Sequence, residues 1–135
     1  MASFSDYLEN KVLEHVVAKT SFTMPTSPLY LALCTTVPTD SSTGSTLVEA
    51  NYTGYARKSV AGTDWASASG GSISTANQIT FAACTGSTST VVGWALVDAS
   101  SSGNVIAWGT CTSTVISTTA TPATVNAGGL TITLD

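Results

Sequence analysis

Side chains able to do acid–base, nucleophilic or metal chemistry are few and scattered in this chain. Nucleophilic catalysis needs a base held beside a serine or cysteine, and the only histidine is His15, in a charged N-terminal stretch. A solvated or interface side chain is its simplest reading, and no Gly-x-Ser-x-Gly elbow occurs anywhere. The three cysteines, Cys34, Cys84 and Cys111, are widely spaced and form no Cys-x-x-Cys pair, so with a single histidine they do not read as a zinc site. Each lies in or beside an apolar run, which predicts free, buried thiols. Asp40, Glu49 and Asp64 are the carboxylates from which an acid–base pair could be drawn. Solvation of loops explains them more simply, and Asp98 opens a turn-like stretch in which Asp commonly bonds its own backbone. Gly70-Gly71 lacks the Lys-Ser/Thr that follows a phosphate loop, and no cluster of carboxylates resembles a calcium loop. The expectation is a protein with no catalytic, cofactor-binding or metal-binding residues, and not an enzyme.

Aromatic side chains are the remaining candidates. Trp65, Trp94 and Trp108 could stack on a sugar. Trp94 and Trp108 lie in the two most apolar runs and are expected as neighbours across a hairpin, filling the core or an interface. Trp65, in a loop, is the better candidate for an exposed contact.

These residues are positioned by two kinds of segment. Residues 1–20 hold five of the twelve charged residues, and Phe4, Leu8, Val12 and Val16 recur every four positions, with Tyr7 and Leu13 widening the stripe. That spacing predicts an amphipathic helix over residues 1–20, capped by Ser3 with Asp6 and stopped between Ser21 and Pro28. Beyond it the period becomes two. Leu29 to Cys34, Tyr55 to Val60, Ile79 to Ala83, Val91 to Val97, Val105 to Thr110, Thr114 to Thr118 and Leu130 to Leu134 all read as strands. Asp98 to Asn104 joins the two most apolar runs as a hairpin loop. Residues 21–135 are therefore expected to form an antiparallel β-sandwich or barrel, jelly-roll-like, making with the helix a single compact, mainly β domain.

Composition narrows the function further. Only 9% of the 135 residues are charged, against roughly a quarter in ordinary soluble domains, and Ser and Thr make up about a third. Depletion of charge is characteristic of surfaces buried against other proteins, so a subunit that packs against neighbours is favoured over a lone hydroxyl-coated domain. A net charge of −4 with four Lys/Arg argues against nucleic acid as a partner. Arg57 and Lys58, the only adjacent cations, point to opposite faces of an extended strand. No run approaches the ~18 apolar residues of a membrane span. Asp6 and Glu9 stand where a secretory signal would be positive, and the sequon Asn51-Tyr52-Thr53 reads as chance.

Several segments, taken in order, carry a family resemblance: Phe4-Ser-Asp-Tyr-Leu-Glu-Asn-Lys11, Leu29-Tyr-Leu-Ala-Leu33, Tyr55-Ala-Arg-Lys58, Gly93-Trp-Ala-Leu-Val-Asp98 and Ala127-Gly-Gly-Leu-Thr-Ile-Thr-Leu134. Together they resemble small tailed-bacteriophage virion proteins of the tail-fibre-like and capsid-decoration kind, over nearly the whole chain. The resemblance implies a virion component assembled in the host cytoplasm, with no catalytic residues to carry over. The chain shows no shaft-forming repeat, so a capsid decoration (cement) protein is the leading expectation, by analogy a homotrimer bound to the major capsid protein. The alternative is a tail-fibre or tail-tip protein engaged in host attachment, with a host glycan as its ligand. Candidate interface residues are Phe4, Tyr7, Leu8, Val12, Val16 and Trp65.

Overall fold

The computed structural model describes residues 2–134. Its centre is the hairpin expected from the two apolar runs. β6 (Ser89–Val97) and β7 (Val105–Ile116) pair antiparallel around the 98–104 loop. β2 (Leu29–Cys34) pairs with the other side of β6, and β3 (Lys58–Val60) with β2. The short β1 (Ala2–Phe4) closes the list on the far side of β7, giving a five-stranded antiparallel sheet in the order β1-β7-β6-β2-β3. Two small ribbons complete the β structure: β4 (Ser72–Ser74) with β9 (Thr131–Thr133), and β5 (Ile79–Thr80) with β8 (Thr124–Val125). The fold is thus mainly β and sandwich-like. The barrel alternative does not hold, because the sheet ends in open edges at β1 and β3.

Both faces of the central sheet are covered, which explains why β2 and β6 are apolar at consecutive positions rather than at alternate ones. On one face Leu31, Leu33 and Val91 pack with Tyr52, Val60, Phe81 and Leu130. On the other lie Ala32, Cys34, Ala95, Val97 and Val105, with Leu47 and Trp108 against them. Two loops meet closely at Gly44: a Cβ there would stand 1.9 Å from the Ser102 carbonyl oxygen, so only glycine allows the approach.

Several expectations are corrected. The helix, α1, runs from Asp6 to Val16 rather than over residues 1–20, because residues 2–4 gain a backbone ladder on β7 (Ser3 opposite Trp108, Phe4 opposite Ala107). Ser5, not Ser3, is the N-cap: it accepts from the Leu8 N–H at 3.4 Å while its own hydroxyl donates to the Val105 carbonyl. The helix stops before the prolines. Ala18 turns left-handed at φ 56°, the Ala18 N–H bonds His15 O and the Lys19 N–H bonds Glu14 O, the pattern that usually employs glycine. Cys34 and Cys84 are free and buried as expected, but Cys111 is free and exposed, because β7 carries a bulge and a free edge there. The strand expected over Thr114–Thr118 is the end of β7, and the one over Tyr55–Val60 is trimmed to Lys58–Val60. Trp94 and Trp108 are indeed on facing strands, but Trp94 opposes Gly109 and Trp108 opposes Ala95, so they project from opposite faces and make no joint platform.

Candidate interaction surfaces

Arg57 is the most heavily engaged polar side chain. Its side chain is only 4% exposed and all five of its N–H donors find acceptors. Nε and Nη2 both donate to Glu49 Oε1, at 3.0 and 2.7 Å. Nη1 donates to the Ala99 and Ser102 carbonyls at 2.9 and 2.8 Å, and Nη2 to the Gly44 carbonyl at 2.7 Å. The Tyr55 hydroxyl donates to Glu49 Oε2 at 2.6 Å and accepts from the Leu33 N–H at 3.1 Å. Burial, with the Glu49 carboxylate beside it, pushes the Tyr55 phenol well above its ordinary range. Every donor in this network is committed, so its chemical capacity is to rigidify. It locks the loops around Gly44 and around Ala99–Ser102 to the segment leading into β3. A cavity of about 480 Å³ beside it is floored by these residues and rimmed by Ser45 and Ser100–Ser102.

The other ionisable groups are also tied locally. Asp40 accepts from the Trp108 indole N–H at 3.1 Å. Asp64 accepts from Asn77 at 3.1 Å and from the Ala61 N–H at 2.9 Å, and the Asn77 amide leads in holding its carboxyl below the usual range. Asp98 closes its loop by accepting from the Asn104 N–H at 2.7 Å and side-chain amide at 2.8 Å, as expected of an Asp opening a turn. Asp40, Glu49 and Asp64 thus serve three separate partnerships. His15 is exposed, with Nδ1 accepting from the Phe22 N–H at 3.2 Å. Cys34 is fully buried and its thiol is pushed up to about 12, chiefly by burial, which holds it in the unreactive protonated form.

An apolar groove of about 490 Å³ runs between the outer half of β7 and residues 123–130. Leu33, Trp94, Ile116, Val125 and Leu130 line it, with threonines at the rim. Among the described residues that line it, the ionisable group is the Cys111 thiol, itself shifted up by partial burial.

The candidate interface residues are distributed unevenly. Leu8 is buried; Tyr7 and Val12 are half-buried; Val16 is 74% exposed. Phe4 lies on β1 rather than on the helix and packs with Leu96, Ala107 and Ile132. Trp65 is half-buried and touches two core clusters, so it presents less free ring than a loop position suggests. The structure adds residues outside the expected set. Leu13 (64%) and Val17 (70%) are exposed, like Val16, at the end of α1, and Met24 (72%) in the segment after it, so half of the eight exposed large apolar side chains among the described residues fall in this stretch. Leu13 was legible in the helical stripe; Met24, in a stretch without periodicity, was not.

The family model described as Podophage GP4 fiber I protein gp80 matches residues 3–133 of the chain. No curated protein matches the chain.

Proposed function

The chain belongs to the Podophage GP4 fiber I protein gp80 family, which makes it a phage virion structural protein, and from that premise we propose that it is a component of the tail's fibre apparatus that works by assembly rather than catalysis. The observation that carries this reading is the extent of the match, which takes in both α1 and the β body. The geometry supports it in two ways. Arg57, Glu49, Tyr55, Asp64 and Asp98 are engaged in holding loops, and four of the eight exposed large apolar side chains of the described residues, Leu13, Val16, Val17 and Met24, lie in one short stretch of chain. Such a segment is suited to burial against another copy and against a neighbouring virion protein, each contact contributing roughly 25 cal/mol per Å² of apolar area before association costs. A host glycan is a less suitable ligand, since Trp65 is partly covered by its own core.

Head decoration, with the major capsid protein as partner, remains the second reading, favoured by a small β unit without a shaft-forming repeat. Heads and tails separated after disruption of the particle distinguish the two. Co-purification with tails supports the fibre assignment; co-purification with emptied heads alone contradicts it.

A further inference from the structure

Residues 2–16 are held to the rest of the chain by anchors that lie far away in sequence. β1 ladders on β7 from Ala2 opposite Gly109 to Phe4 opposite Ala107. The Ser5 N–H bonds Ile106 O at 3.2 Å, the Ser5 hydroxyl bonds Val105 O, and the Asp6 N–H bonds Asp40 O at 2.9 Å. Leu8 supplies the buried apolar contact. The way back to the body is residues 17–28, twelve residues without helix or strand. Extended, that arm reaches roughly 40 Å, enough to place β1 on a neighbouring molecule.

Three features of the arm are those of a segment that opens. Its first residues turn through Ala18 at φ 56°, a left-handed conformation that a residue with a Cβ avoids and an extended arm would not need. The bonds folding it back, Lys19 and Thr20 to Glu14 and the Phe22 N–H to His15, are all exposed to water. Leu13 and Val16, in the last turns of α1, are 64% and 74% exposed, and Val17 and Met24, in the arm itself, 70% and 72%.

We propose that residues 2–16 are exchanged between copies of this chain: β1 of one molecule completes the β7 edge of the next, and the crossing arms cover each other's Leu13, Val16, Val17 and Met24. The occupant follows from the socket. The β7 edge, the Val105 carbonyl and the Asp40 carbonyl are complementary to Ala2–Leu8, and a second copy carries that segment. Exchange preserves every anchor contact, removes the left-handed turn and buries the exposed apolar side chains, which is the usual route by which a domain becomes a strand-exchanged oligomer. It stands independently of whether the protein sits on the tail or the head.

Cysteine trapping reads the exchange directly. In a Cys111→Ser background, Asp6→Cys with Asp40→Cys places two thiols at surface positions whose backbones are already hydrogen-bonded; Phe4→Cys with Ala107→Cys places two at a ladder pair, where Ala107 is buried and Phe4 half-buried. After oxidation of the assembled protein, denaturing electrophoresis without reductant should show covalent dimers or closed higher oligomers for both pairs. Ala18→Gly, which eases the folded-back turn, should lower their share. Internally bridged monomer alone, a folded chain that stays monomeric by light scattering, or no bridge from either pair would each overturn the proposal.

Discussion

Arg57→Ala removes a guanidinium whose five donors hold Glu49 and three loop carbonyls. The Glu49 side chain is 20% exposed, so after the substitution its carboxylate is left largely desolvated, keeping only the Tyr55 hydroxyl as a side-chain donor. Breaking a buried pair by deleting one partner costs about 3–5 kcal/mol. The lower end applies here, because Glu49 retains some water and the Ser102 loop is exposed enough to rehydrate its carbonyl. With about 2.1 cal/mol/K of unfolding entropy per residue over 135 residues, a loss of about 3 kcal/mol lowers Tm by about 10 °C. Thermal unfolding followed by circular dichroism, with a urea titration to confirm an unchanged m-value, measures it. Arg57→Lys keeps the charge but cannot reach carbonyls on both sides at once, and should fall between the two. A Tm for Arg57→Ala within about 2 °C of the parent would refute the idea that this network holds the loops together.

Stability should be flat near neutrality and fall as pH rises above about 9. The unfolded Cys34 thiol ionises near 9.0 while the folded one, at about 12, stays protonated, so the unfolded state loses a proton first; the slope is about 1.4 kcal/mol per pH unit. Tyr55, also raised, steepens the decline above about 10, and Cys34→Ala should flatten the Tm profile between pH 9 and 10. Leu8→Asp, at a buried position, should cost at least about 3 kcal/mol and impair folding. Val16→Asp, on an exposed one, should leave Tm within a few degrees while reducing oligomer mass in light scattering. A thiol reagent should titrate one cysteine, Cys111, in the native protein and three in guanidinium; a fast-reacting Cys34 would contradict its burial.

What was legible in the sequence was the local pattern. The β6–β7 hairpin, β2, the Asp98 loop and the existence of an N-terminal helix all come from periodicity and turn chemistry within about twenty residues. The helix start was misplaced because Phe4 fits a four-residue stripe as well as it fits β1, and the partner that decides, Ala107, is about a hundred positions away. The helix end was missed because Ala18 adopts a turn that glycine usually announces. Arg57 read as half of a weak cationic pair, since three of its acceptors are backbone carbonyls in loops whose meeting no side-chain pattern records. The tryptophans were placed on the right strands but not on faces. Face depends on register, and opposing Ala95 rather than Trp94 sends Trp108 to the other side of the sheet.

Imaging the intact particle at subunit resolution tests at once the two parts of the proposed function, assembly as the protein's work and the tail as its place. The account predicts density for the chain in the fibre apparatus, in a small fixed number of copies, with the α1 end and the 17–28 arm buried between neighbouring molecules. Density confined to the head lattice, or isolated copies with Leu13, Val16 and Met24 still facing solvent, would contradict it.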